Sequence, residues 1–262
     1  GHNKLQEAWL QLSRSECAVK FGRQSLSWGA IEGAFAVDVV SPFDFTEPLL
    51  TDYSDLRLAQ NMLLTDCYVE NTHIQSFFVT DARINTFSRT NNTLLTNLEN
   101  TLHEEWGGMV SQAWEGVDVS LMYARLYGNQ AIMIIDMRDP KGVRLGVARY
   151  DFFGLSTVWA LGRLLLELDF AYKKNELERY SGNERDHYEA AIGFEYTTSG
   201  NHQLNAGVWF FEDAVGQIMP AENISRDLYQ AWTVGWGKSY LNDNLVVSFL
   251  GIWVSGKNVL SN

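Results

Sequence analysis

Residues 163–174, RLLLELDFAYKK, alternate with a period of two. Leu164, Leu166, Leu168, Phe170 and Tyr172 share one side, and Leu165, Glu167, Asp169, Ala171 and Lys173 share the other. Successive side chains point to opposite faces in an extended strand, so the stretch predicts a β-strand with an apolar and a polar face. Residues 187–196, HYEAAIGFEY, repeat the pattern. Tyr188, Ala190, Ile192, Phe194 and Tyr196 lie on one face; Glu189, Ala191, Gly193 and Glu195 lie on the other.

Working outward from this pair, the joins differ in kind. TTSGNHQ at 197–203 and YLNDNLV at 240–246 look like short hairpin connections. KNELERYSGNERD at 174–186 and EDAVGQIMPAENISRD at 212–227 are long and polar. Short turns at one end and long loops at the other are the pattern of an up-and-down membrane barrel. Strands are expected at 5–14, 17–28, 59–71, 73–83, 109–126, 143–161, 163–174, 187–198, 202–212, 228–240 and 244–256. That is about eleven, many near the ~10 residues a tilted bilayer-spanning strand requires. An odd count is unusual for a bacterial barrel, and points to a miscounted segment or to a barrel only partly covered by this chain. The start, GHNKLQEAW, enters a strand almost at once and reads as a processed or truncated N-terminus.

Composition narrows the function classes. The 262 residues carry a net charge of −12 with no basic cluster, which argues against nucleic-acid binding. No stretch reaches the ~18 consecutive apolar residues of a transmembrane helix, whereas membrane β-strands escape that criterion because they alternate. No catalytic residues and no enzyme activity are expected. HEEW at His103 lacks the second His of a zinc-protease motif, and no Gly-x-Ser-x-Gly elbow, phosphate loop or dinucleotide fingerprint occurs. No cofactor or metal is expected either. Cys17 and Cys67 fit no zinc or redox spacing, and the sequence leaves open whether they are bonded.

Alternation alone does not choose between a soluble sandwich with charges in water and a membrane barrel with charges in a wet lumen. Strand length, the loop alternation and aromatics near strand ends (Trp159, Tyr172, Tyr196, Trp236 and Tyr240) favour the barrel. The lumen would then receive Asp118, Glu167, Asp169, Glu189 and Glu195.

The segment LQEAWLQLSRSECAVKFGRQSLSWG resembles the hairpin of a largely uncharacterised bacterial outer-membrane porin-like family. The matching residues are Leu5, Glu7, Ala8 and Trp9, then Gly22, Arg23, Gln24, Trp28 and Gly29. The family's following acidic, Pro and Arg elements look like Asp38, Ser41, Pro42, Asp44 and Arg57, and RYDFFGLSTVWALG at 149–162 looks like its mid-barrel strand. A wider similarity links the hairpin to alginate-exporter-like barrels. The dense match covers roughly the first quarter of the chain, which is short for the family and carries Ala30 to Glu32 where a charged residue usually follows the Trp-Gly. The resemblance implies an outer-membrane location and a role in transport, export or binding; it implies no catalytic residues.

Two segments break the strand pattern. Residues 84–108 are polar with a weak helical period, and are expected to be a long loop. Residues 30–57 are too apolar for a free loop: AIEGAFAVDVV exposed to water would be an aggregation hazard. An inward-folded plug or constriction is expected there, with Asp38 and Asp44 pairing with Arg23 or Arg57, because buried charges need partners. Arg23, Trp28, Asp38, Asp44 and Arg57 therefore join the lumen or constriction candidates. The expectation is a single-domain (1–262), all-β, transmembrane antiparallel up-and-down barrel. It would pass or export a solute or polymer in the bacterial outer membrane, in contact with outer-membrane lipid and with envelope partner proteins, as one component of a larger assembly. The alternatives are a scaffold barrel binding partner proteins and a soluble carbohydrate-binding β protein.

Overall fold

The computed structural model of the chain describes residues 7–29, 31, 34–46, 56–87, 98–99, 101–135, 143–177, 184–212, 228–240 and 245–256. Among these, twelve strands form one antiparallel sheet in chain order. They are β1 (Ala8–Arg14), β2 (Cys17–Gln24), β4 (Gln60–Val69), β5 (Thr72–Val79), β7 (Glu105–Trp114), β8 (Val117–Tyr127), β11 (Arg149–Leu161), β12 (Leu164–Leu177), β13 (Glu184–Thr197), β14 (His202–Glu212), β15 (Leu228–Tyr240) and β16 (Leu245–Gly256). Two small pairs lie outside this sheet: β3 (Asp44–Phe45) with β6 (Thr86–Phe87), and β9 (Ile132–Ile135) with β10 (Val143–Gly146). Every consecutive pair in the large sheet is antiparallel, and short turns alternate with long connections along the whole chain. Among the described residues β1 and β16 are hydrogen-bonded on one side only, so the sheet is not closed.

The count of eleven is corrected to twelve. The stretch 109–126 is a hairpin: β7 and β8 meet at Trp114 and Val117 across Glu115 and Gly116. Gly116 has φ of +75°, the left-handed conformation that a two-residue turn demands and that Gly adopts without penalty. The stretch 143–161 also divides, into β10, which pairs away from the barrel wall, and the wall strand β11. The polar join at 174–186 is largely strand, since β12 runs to Leu177 and β13 starts at Glu184. The remainder of that join, residues 178–183, lies outside the described residues, as do 213–227 of the second long join and the short turn at 241–244. Within 84–108, Leu98 and Glu99 have helical backbone, and the Thr101 and Leu102 amides donate to their carbonyls at 2.9 Å. Residues 88–97 of that loop are outside the described set.

The alternation maps onto the sheet as the period requires. On β13, Tyr188, Ile192, Phe194 and Tyr196 are exposed, while His187, Glu189, Ala191 and Gly193 are buried. On β12, Phe170 is exposed and Asp169, Ala171 and Lys173 are buried. The apolar face is therefore the outer one, the reverse of a water-soluble sheet, and the polar face looks inward.

Candidate functional site: the filled barrel interior

The strand β2 ends at Gln24, and the chain then turns onto the inner face of the sheet. Gly29 allows this entry: its φ is +91°, and a Cβ there would stand 2.7 Å from Val37 Cγ2. Two apolar clusters hold the segment that follows. Trp28, Val37, Val39 and Val40 pack with Met62, Phe77, Leu126 and Phe152 on β4, β5, β8 and β11. Ile31, Phe35 and Phe43 pack with Trp209 and Ala231 on β14 and β15, and Val254 of β16 flanks them. Trp28 meets the Phe77 ring edge-on at 5.4 Å between centroids, and Phe35 meets Trp209 at the same distance. One chain segment thus touches the wall from β4 to β16. The inward-folded segment is observed from Leu26 to Phe43; residues 30, 32–33 and 47–55 of the expected stretch lie outside the described set.

Polar side chains of the wall, of the neighbouring connections and of the segment itself position it. Gln60 donates to the Val40 carbonyl at 3.1 Å and Asn129 to the Val39 carbonyl at 2.7 Å. The Ser41 hydroxyl accepts the Leu26 amide at 2.8 Å, and Asn85 accepts the Phe43 amide at 2.7 Å. Asp38 forms a buried ion pair with Arg57, whose guanidinium lies 5.3 Å from the Phe43 ring centroid. Burial pushes the Asp38 carboxyl above its ordinary value, against the opposing pull of Arg57 and of hydrogen bonds from Trp28 and Ser27. Each fully buried large apolar side chain contributes about 1.5–3 kcal/mol, more than a buried ion pair yields after desolvation. Apolar burial therefore anchors the segment, and Asp38–Arg57 sets its position.

The opposite part of the interior is acidic. Asp169 is buried beside the entry turn, 3.2 Å from where a Gly29 Cβ would stand. Glu167, on the same face of β12, approaches the Gly193 position at 3.0 Å, and Glu195 shares the inner face of β13. Glu189 is engaged by Lys173 and by the Trp209 indole N–H at 3.0 Å.

Of the residues singled out in the sequence, the structure brings Trp28, Asp38, Arg57, Glu167, Asp169, Glu189 and Glu195 to the interior. Three lie apart. Arg23 pairs in register with Asn61 and lines a rim cleft of about 410 Å³ with Asn61, Asp81, Arg83 and Glu99. Asp44, in the short β3, accepts from the Thr46 and Thr86 hydroxyls at 2.6 and 2.8 Å and organises the loop. Asp118 is exposed next to the Glu115–Gly116 turn. Of the pairings expected for Asp38 and Asp44, Asp38–Arg57 is present.

Sequence reasoning missed a polar chain on the inner face of β4 and β5. The Trp28 indole N–H donates to Gln75 Oε1 at 2.8 Å, and Gln75 donates to Asp66 Oδ1 at 2.8 Å. His73 Nε2 lies 3.0 Å from the same oxygen, with the Tyr68 ring stacked on the imidazole at 4.2 Å. The signal was available: Asp66, Tyr68, His73 and Gln75 occupy alternating positions opposite Leu63, Ile74 and Phe78. Glu105 was missed as well; it is buried and accepts the Tyr127 amide at 2.7 Å.

The outer face carries aromatic rows at both ends. Near the long loops, Trp106, Tyr123, Phe153, Tyr172 and Tyr188 form a chain of rings with centroids 5.0–6.0 Å apart. Near the short turns lie Tyr196, Trp236 and Tyr240. Apolar residues such as Ile192, Phe170 and Leu121 are exposed between them.

No protein-family model matches the sequence, and no curated protein matches it closely. Solved outer-membrane barrels share its fold. OmpT of Vibrio cholerae aligns with a TM-score of 0.58 at 10% identity, over 90% of this chain and 66% of that one. The anion-selective porin of Comamonas acidovorans aligns at 0.57 and 12% identity, over 95% of this chain and 71% of that one. OmpF of Salmonella typhi, solved with daunomycin, aligns at 0.54 and 12% identity, over 93% and 68%. The chain thus spans about two thirds of the length of these structures. The fold is that of a porin-like, outer-membrane-type transmembrane β-barrel.

Proposed function

We propose that the chain resides in the bacterial outer membrane and passes small cationic or neutral solutes through a lumen narrowed by its own residues 26–43. One observation carries the reading. The inner wall facing that segment presents Glu167, Asp169 and Glu195, while two interior cations, Arg57 and Lys173, are engaged by Asp38 and Glu189, and Lys20, on the inner face of β2, lies over the Trp9 ring. A narrow acidic passage with low-dielectric walls raises the local cation concentration and rejects anions. The apolar contacts of the segment with both halves of the wall favour a small solute over a polymer. Outer-membrane lipid meets the exposed apolar face, envelope proteins meet the rims, and no catalytic step is part of this reading.

The test is a planar-bilayer recording. The native barrel is expected to give small, cation-selective conductance steps. Deleting residues 30–45, or the length-preserving pair Val37→Ser and Val40→Ser, is expected to enlarge them. Glu167→Gln with Asp169→Asn is expected to shift the reversal potential toward non-selectivity. Unchanged conductance in both opened variants would sink the constriction. A barrel silent in every form would point to a scaffold role, which the apolar bridging of both walls also favours.

A further inference from the structure

Leu164, Tyr196, Leu204, Trp236 and Phe249 form one row across β12 to β16, each the cross-strand partner of the next. One step nearer the short turns on the same outer face, His202 and Lys238 are themselves cross-strand partners. The Trp236 indole N–H points at His202 Nδ1 from 3.1 Å, and Lys238 Nζ stands 2.9 Å from Nε2. Both neighbours are donors only. A neutral imidazole has one acceptor nitrogen and an imidazolium has none. In every protonation state at least one of these approaches is therefore donor against donor. Among the described residues the group has a surplus of N–H over acceptors. Lys238 is further held 5.2 Å from the Tyr240 ring centroid, and Arg163 is exposed in the β11–β12 turn on the same rim.

We propose that a phospholipid headgroup phosphate binds here, between Lys238 and His202. Tyr196, Trp236 and Tyr240 form an aromatic belt around this group, and headgroups lie at the level of such belts. A phosphate oxygen supplies the missing acceptor and makes charge-assisted hydrogen bonds to Lys238. The chains of that lipid lie along the exposed Val234, Trp232 and Trp253. The inference rests on the outer face meeting lipid.

The test is native mass spectrometry of the barrel released from detergent micelles. It is titrated with phosphatidylglycerol, with diacylglycerol of the same chains, and with phosphatidylglycerol in the presence of inorganic phosphate. Lys238→Met is expected to lower phosphatidylglycerol occupancy at least fivefold and to leave diacylglycerol unchanged. Lys174→Met, at the opposite rim, is expected to stay within twofold of the native barrel. Heat-modifiable gel migration identifies folded variants, with Lys238→Gln replacing any that fails to fold. Equal phosphatidylglycerol occupancy in folded Lys238→Met overturns the site, as does a matching loss in Lys174→Met. Complete displacement by equimolar inorganic phosphate makes it a free-anion site and overturns the headgroup assignment. A native barrel that leaves micelles for plain buffer sinks the membrane setting itself, an outcome distinct from the others.

Discussion

The buried ion pair of Asp38 and Arg57 ties together two parts of the connection between β2 and β4. Removing only the cation leaves a carboxyl buried among apolar groups, the costly way to break such a pair. Arg57→Met is expected to destabilise the barrel by about 3–5 kcal/mol in denaturant titrations in micelles, and substituting both partners by apolar residues should cost much less. Glu7 shows the opposite electrostatic balance. Burial pushes its carboxyl up, but the Ser25 hydroxyl and amide, at 2.6 and 2.9 Å, outweigh that and hold it below the ordinary 4.5. A carboxyl depressed on folding stabilises fully above its unfolded value and loses that contribution as pH falls through its folded one. Protection of the Ser25 amide from hydrogen exchange, corrected for intrinsic rate, should therefore decline below about pH 4.5, and should show no such decline in Glu7→Gln. Retained protection in the native protein at pH 3 would remove the tether from the account.

Among the elements, β2 and β4 are joined twice, by their ladder and by the Cys17–Cys67 disulfide between direct register partners. The bond encloses a loop of 50 residues that contains the whole inward segment. Closing a loop of that length removes unfolded-state entropy worth about 4 kcal/mol. Intact mass should rise by two hydrogens on reduction, and the double variant Cys17→Ser, Cys67→Ser should unfold at lower denaturant. Among its described residues the inward segment has no strand or helix. The Val40 carbonyl is met by Gln60 of β4, and the Phe43 amide and Val39 carbonyl by Asn85 and Asn129 of the neighbouring connections, as buried irregular backbone requires. Alternation could locate the wall but not these donors, since an inward Gln on a strand looks the same whether it meets water or a carbonyl. The β7–β8 hairpin was illegible for a related reason. Its turn, Glu115–Gly116, is two residues long and interrupts neither the polarity nor the length pattern strongly.

For the whole molecule, the distance between the aromatic rows is informative. Tyr188 and Tyr196 are eight positions apart on β13, about 27 Å along a strand. At the usual tilt of a membrane barrel that is about 20 Å of height, near the ~25 Å of an outer-membrane apolar band. Ile192 lies midway and outward, exposed to 50%. In a bilayer, Ile192→Arg should cost about 2–4 kcal/mol. In a water-soluble sheet the same substitution would be nearly neutral, so stability measured in lipid vesicles separates the two settings. The sequence alone determined the strand class, the two faces and the alternation of turns and loops, because a period of two and local turn chemistry are properties of neighbouring residues. It also marked residues after Trp28 as too apolar for water. Only the tertiary structure decided where that segment sits, that Asp38 meets Arg57 rather than Arg23, and that Asp66, His73 and Gln75 form one chain with Trp28. Those contacts join residues from 7 to 47 positions apart on different segments, and their pairing depends on the register and curvature of the sheet, which no single strand encodes.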